Sequence, residues 1–255
     1  MATAKKAATK GNQVVPIKKT AVAAPRAAMG RGFEEADVDS FAIPFLVLLQ
    51  KTSPAADADD PAYVKGAKAG MFMNTVTQEL YENPEIIPCV YQRRFNRWAP
   101  LDSGGGFKGT FLPSVISGME AKSVIAQDDD GRWYFTMPDG TISEKKSDVL
   151  TDTRLHYCMM VQDDGSLVNV LVSLSRTQLK KSKNWMTLMQ QQGGDMWDNV
   201  YALSSKQEEN DKGKWMGWVI NSSRSTEDEE RAAAEAFYES VQSGAVKVRM
   251  DKAED

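Results

Sequence analysis

The sequence predicts a mainly β fold with added helices (α+β), and three observations carry that expectation. After Gly70 the chain is a succession of short apolar or alternating runs, each closed by a turn signal. A stretch free of proline and glycine, residues 176–192, interrupts that succession once before two further runs. A capped and striped segment ahead of Gly244 then reads as a C-terminal helix.

In order along the chain, residues 1–32 are rich in Ala, Lys, Thr and Pro, with seven cations (Lys5, Lys6, Lys10, Lys18, Lys19, Arg26 and Arg31) and no acid. Too little apolar surface is present there to offset the entropy of ordering, so a disordered basic tail is expected. It serves either as a solubiliser or as an arm adding non-specific attraction to phosphates. Glu34, Glu35, Asp37 and Asp39 reverse the sign ahead of a hydrophobic anchor at residues 41–50, where Pro44 fits a strand or a helix that begins at it. An acidic, proline-containing loop follows at residues 53–63. Strand-like runs then occupy residues 71–76, 86–98, 132–137, 154–161 and 167–174, separated by signals such as Asn83-Pro84, Asp130-Gly131 and Asp139-Gly140. Asp163-Asp164-Gly165-Ser166 marks a hairpin.

Ser175 with Gln178 three residues later forms a capping box opening a helix over residues 176–192, and Gly193-Gly194 ends it. Strands are expected at residues 200–204 and 214–220. Thr226 with Glu229 makes a second capping box, acids fill the first turn, and Ala233, Phe237 and Val241 give a helical stripe. Two strands, a helix and two more strands is the order found in the second half of an OB-fold. The expected architecture is therefore an OB-like barrel with extra strands and a C-terminal helix: one domain over residues 33–250, with 251–255 a short charged tail.

At 255 residues, 42% hydrophobic and 26% charged, the chain has the composition of a soluble globular protein. No apolar run is long enough to cross a bilayer, and the first residues lack the hydrophobic stretch of a secretion signal. Cys89 and Cys158 have no metal-ligand spacing and read as buried free thiols, so a cytoplasmic location without membrane contact is expected. A net charge of -4 argues against a generic basic coat. Screening confines charge effects to roughly 8–10 Å, however, so local clusters decide.

The most informative cluster is Tyr91-Gln92-Arg93-Arg94-Phe95-Asn96-Arg97-Trp98. On a strand, Tyr91, Arg93, Phe95 and Arg97 share one face, with Arg94 and Trp98 on the other. Single-stranded nucleic acid suits that mixture: unpaired bases stack on aromatic rings for roughly 1–3 kcal/mol each, while guanidiniums hold the charged backbone. An amphipathic outer strand with packed aromatics and solvated arginines has the same pattern, and burial of Arg93 and Arg97 in ion pairs with acids would remove the site. The second cluster is Arg176, Lys180, Lys181 and Lys183, with no acid from Arg176 to Trp185 to form i,i+4 pairs. Leu179, Trp185, Met186 and Met189 share a core face, and Lys181 points away from it. Gly104-Gly105-Gly106-Phe107-Lys108 is a glycine loop without the ending of a phosphate-binding P-loop, read as a hairpin tip or as a flap over a bound strand. Trp215 and Trp218 fall on opposite faces of their strand, so at most one is exposed.

Catalysis is not expected. His156 is the single histidine, with no convincing nucleophile nearby in sequence, which argues against a triad or a zinc site. Glu144-Lys145-Lys146 with Asp128–Asp130 upstream has the form of some metal-dependent nucleases, but these acids lie in turn-like segments.

Ala42-Ile43-Pro44-Phe45-Leu46-Val47-Leu48-Leu49-Gln50, Met71-Phe72-Met73-Asn74-Thr75-Val76-Thr77, Gly104-Gly105-Gly106-Phe107 and Lys180-Lys181-Ser182-Lys183-Asn184-Trp185 together resemble a pattern of tailed-phage early proteins, over most of the chain after residue 33. A looser similarity runs to phage single-stranded DNA-binding proteins of replication and recombination. The resemblance implies an OB-like barrel, DNA binding and the cytoplasm of an infected bacterial host. One departure is the C-terminus: residues 247–255 mix signs instead of forming the acidic, aromatic-ended tail that recruits partners in many such proteins.

The expected function is sequence-tolerant binding of single-stranded DNA, with no metal or organic cofactor. Tyr91, Phe95, Trp98 and Phe107 supply ring surface; Arg93, Arg94, Arg97, Lys108, Arg176, Lys180, Lys181 and Lys183 supply positive charge. Phage replication or recombination proteins are the expected protein partners, and a homodimer is among the oligomeric states left open. The alternative is a phage structural or host-interaction protein that binds protein partners; a metal-dependent nuclease is the lesser one.

Overall fold

A computed structural model describes residues 42–211 and 213–246. The basic tail, the acidic run before Phe41 and the charged C-terminal residues lie outside the described residues.

Among the described residues the fold is mostly β, with three α-helices and a strongly curled half-barrel sheet. The hydrophobic anchor is extended: β1 (Leu46–Leu48) pairs with β2 (Phe72–Asn74), which pairs with β3 (Leu80–Tyr81). Pro44 starts no helix; its carbonyl accepts the Leu171 N–H at 2.8 Å, and Phe45 bridges Leu171 in parallel. The large sheet is built on β4 (Glu85–Trp98), β8 (Val149–Val161) and β9 (Leu167–Ser175), an antiparallel meander. After α2 (Leu179–Gln192), the hairpin β10 (Asn199–Asn210) and β11 (Gly213–Ser225) returns so that β10 pairs with β4. Both hairpin strands run beyond the segments that periodicity predicts, through the polar residues 205–210 of β10 and 221–225 of β11.

Between β4 and β8 the chain forms three elements that the sequence does not announce, β5 (Phe107–Phe111), α1 (Pro113–Ala121) and β6 (Ile125–Gln127), and one that it does, β7 (Trp133–Phe135), within the run expected at residues 132–137. The glycines lie in the tip of the β4–β5 hairpin, and the loop is shorter than its whole sequence stretch. Gly104, Gly105 and Gly106, at φ +90°, +64° and +109°, make the turn that L side chains resist, and Phe107 and Lys108 then join β5 against β4. Pro113 at the first helical position starts α1, where the missing N–H costs no intrahelical bond.

Two apolar layers sandwich the meander. On one face Ile86, Cys158, Met160, Val172, Tyr201, Leu203 and Trp218 pack with Trp185 and Met189 of α2. On the other, Ile87, Val90, Leu155, Tyr157 and Leu171 pack under Ala234, Phe237 and Val241 of α3 (Asp228–Gln242). A smaller cluster of Phe95, Ile116, Ile125 and Leu150 anchors α1 to the far end of β4 and β8.

Both capping boxes differ from expectation. Ser175 makes no side-chain cap, and a 3-10 turn, Arg176–Gln178, precedes α2. The Gln178 side chain is used elsewhere, its Oε1 accepting the Trp218 N–H at 3.2 Å. In α3 the box moves one residue on, to Glu227 and Glu230. Glu230 also takes two hydrogen bonds from the Arg224 guanidinium, at 2.6 and 2.7 Å, while the Thr226 hydroxyl donates to the Trp197 carbonyl. A charge-assisted bidentate pair outweighs a neutral hydroxyl cap, so the helix starts where Glu230 reaches Arg224.

Candidate functional site

Pro88 sets the phase of the candidate strand. It has no N–H for the ladder, and the register with β8 shifts between Pro88 and Val90, leaving Cys89 as an extra residue. A slip of one residue exchanges the two faces of everything beyond it. Past the bulge, Tyr91 faces His156 and Arg93 faces Arg154, on the side of the sheet that carries α2. Tyr91, Arg93, Phe95 and Arg97 thus follow one another along that face.

The arginines on it are organised by two carboxylates. Asp152 accepts Nε and Nη2 of Arg93 at 3.1 and 2.7 Å and Nη2 of Arg154 at 3.0 Å. Asp148 accepts Nε of Arg97 at 2.6 Å and Nζ of Lys108 at 2.7 Å. Burial pushes the Asp148 carboxyl up, but the bonds from Lys108 and Arg97 outweigh it and hold the group below the usual carboxylate range. Burial likewise opposes the Arg154 charge, and Tyr91 and Asp152 more than offset it. Arg154 Nη1 donates to the Tyr91 hydroxyl. Four cations share two carboxylates, so each trio keeps one net positive charge. Arg93 and Arg97 are ion-paired but not sealed off: their side chains are 39% and 33% exposed, and that of Lys108 is 46% exposed.

Aromatic rings lie beneath these guanidiniums. The Arg97 Cζ sits 3.8 Å from the Phe135 centroid and the Arg93 Cζ 4.8 Å from that of Phe95. Here one expectation is corrected. Phe95 is 4% exposed and packs on Ile116, Ile125 and Leu150, so it offers no face to a base. Strand alternation shows which side it takes, but not that α1 and β6 cover it. Tyr91 remains half-buried, its ring 5.2 Å from that of His156. Trp98 and Phe107, also half-buried, meet edge to face at 5.4 Å. Arg94, on the opposite face, donates to the Arg93 carbonyl and the Gln92 side chain and has no carboxylate partner among the described residues.

The second basic cluster divides. Lys180 and Lys183 are exposed on α2, whereas Lys181 is half-buried and paired with Glu208 of β10. The acid that sequence-local reasoning could not see comes from a strand 27 residues away. Arg176 is exposed, in left-handed backbone at φ +49°. Ser182, between Lys181 and Lys183, is buried, and its hydroxyl is 2.8 Å from Nε2 of His156. Sequence reasoning missed Arg154, Asp148 and Asp152, for which only the alternation of β8 carried a signal.

His156 itself is core. It is fully buried, stacks on Trp185 at 4.5 Å, and burial followed by the Arg154 charge lowers its pKa to about 3. Cys89 and Cys158 are buried and free, on opposite faces of the sheet. Among the described residues no group of three or more His, Cys, Asp or Glu could hold a metal ion. Glu144 and Asp130 both pair with Arg132 at the surface. No helix of the described residues is long and apolar enough to cross a membrane.

The family model described as Pam3 phage gp34-like protein matches residues 9–247. Nothing matches among curated proteins or among solved structures.

Proposed function

This chain belongs to the Pam3 phage gp34-like protein family, and from that premise we propose that it is a sequence-tolerant single-stranded DNA-binding protein of phage replication or recombination, acting without catalysis in the cytoplasm of the infected host. The observation that carries the proposal is the pair of cation–carboxylate–cation trios on one face of β4 and β8. They array Arg93, Arg154, Arg97 and Lys108 in fixed geometry with a net charge of +2 in a chain whose net charge is -4. Carboxylates that bridge two cations pre-order them for phosphate oxygens and limit the entropy lost on binding. Tyr91 supplies ring surface on that face, and Trp98 with Phe107 on the opposite one.

The connectivity supports an OB-type barrel as the scaffold. A three-strand meander, a helix and a returning hairpin that pairs with the first meander strand is the course of a five-stranded Greek-key barrel. In such barrels the second and third strands and the loop after the first strand contact nucleic acid. Here those are β8, β9 and the 99–148 excursion that contributes Lys108 and Asp148.

The test is titration of a fluorescent oligothymidine with full-length protein at low and moderate salt, with duplex of equal length as competitor. The expected result is salt-sensitive, strand-selective binding that weakens in Arg97→Ala and in Lys108→Ala. Each variant gives up one phosphate neighbour, so its salt slope is expected to be shallower by roughly 0.7. Absence of binding at low salt overturns the proposal. It would favour a protein-binding role, for which the exposed Leu112, Val115 and Val124 around α1 are the first surface to probe.

A further inference from the structure

A groove of about 330 Å³ opens between residues 50–52, the turn before α2 and the β10–β11 hairpin. Its lining includes Lys51, Arg176 and Lys214, the ring of Trp215, and the amides of Gln50 and Gln178, with no acid among the described residues. In a chain with 35 acids against 31 cations, such a lining is a local reversal of sign.

The walls are held from behind. Gln50 is locked to the Met216 backbone in both directions, at 3.1 and 2.7 Å, and Gln178 accepts the Trp218 N–H. Trp215 Nε1 donates to Glu208 Oε2 at 3.2 Å, which fixes the orientation of the indole. Glu208 is itself engaged by Lys181 and Lys206, so its charge is spent outside the groove. Lys214 pairs with Glu209 at 2.9 Å, but both side chains are more than 60% exposed, and such surface pairs are worth little and exchange readily for a phosphate. Lys51 is exposed and has no carboxylate partner among the described residues.

We propose that this groove is a nucleotide subsite: Lys51 and Lys214 take a phosphate, and the base lies on the indole of Trp215. The chemistry required is that of a nucleoside phosphate, met either within a strand or free in solution. The volume suits one such unit, lying at the small end of ligand pockets. Arg154 of the β8 face pairs with Leu174, two residues before Arg176 of the groove. As a subsite of a bound strand, the inference rests on the single-stranded DNA reading.

The experiment uses full-length protein, Trp215→Ala and the Lys51→Ala/Lys214→Ala double variant, with folding checked by circular dichroism. Each is titrated with a labelled oligothymidine, with thymidine 5′-monophosphate and with inorganic phosphate. The expected result for Trp215→Ala is about a 10-fold weaker affinity for oligothymidine, within the range for removal of one base stack. For the double variant it is a salt slope shallower by about 1.4, since two cations no longer meet phosphates. Crosslinking of an iodouridine oligonucleotide is expected on the tryptic peptide that begins at Trp215. Weakening confined to the monophosphate assigns the groove to free nucleotide and overturns its place on the strand. Unchanged affinities for every probe, with wild-type protein still binding oligothymidine, overturn the subsite and leave the DNA-binding reading standing. A wild-type protein that binds none of the probes overturns both.

Discussion

The side chain of Gln50 does for Met216 what a neighbouring strand would do. Its amide donates to the Met216 carbonyl at 3.1 Å and accepts the Met216 N–H at 2.7 Å, joining the anchor near one end of the chain to β11 near the other. With Phe45 bridging Leu171 of β9, the short β1 segment touches both the meander and the hairpin. Replacing Gln50 by Leu keeps the bulk but leaves both Met216 groups without that partner. Stability is expected to fall by about 1–3 kcal/mol, read as a lower urea midpoint with an unchanged m-value.

Phe95→Ala is expected to act on the fold and not on a stacking site. It empties a packed position between Ile116, Ile125 and Leu150, at a cost of about 3–5 kcal/mol. Phe95→Leu separates the two roles: it should fold, and bind oligothymidine within about twofold of wild type. A large drop in affinity in well-folded Phe95→Leu would return the ring to the binding surface.

Asp152→Asn and Asp148→Asn each remove one bridging carboxylate, so the local charge rises from +2 to +3. On the DNA-binding proposal, affinity at low salt increases while stability decreases, opposite signs from one substitution. For Asp148 the folded pKa lies below that of an aspartate in the open chain, so its stabilisation is present above about pH 4 and is lost as pH falls through the folded value. Asp148→Asn should therefore show a weaker acid dependence below about pH 4 than wild type.

His156 makes the fold sensitive to mild acid. Its pKa falls from 6.5 in the open chain to about 3 in the core, so between those values the unfolded state binds the extra proton. Stability is full above about pH 6.5 and declines as pH falls, with a limiting slope of about 1.4 kcal/mol per pH unit from this residue. Urea midpoints between about pH 7.5 and 4.5 should drop less steeply in His156→Asn than in wild type. An equal slope in the two proteins would show that other groups govern acid sensitivity.

Local signals in the sequence determined the mostly β character, the meander and hairpin segments, the two long helices and the alternation of Tyr91, Arg93, Phe95 and Arg97. Each of these rests on relations within a few residues: side-chain period, turn chemistry and helix spacing. The tertiary structure alone decided which face the candidate strand presents, because that depends on the missing N–H of Pro88 shifting the register against β8, a strand distant in sequence. It alone decided that Phe95 is covered, that Asp152 and Asp148 each bridge two cations, and that Lys181 is neutralised by Glu208. Such partners come from distant parts of the chain, and periodicity carries no information about them. The same holds for the start of α3, where the long-armed pairing of Arg224 with Glu230 displaced a local cap by one residue, since a charge-assisted bond outweighs the propensity of a single hydroxyl.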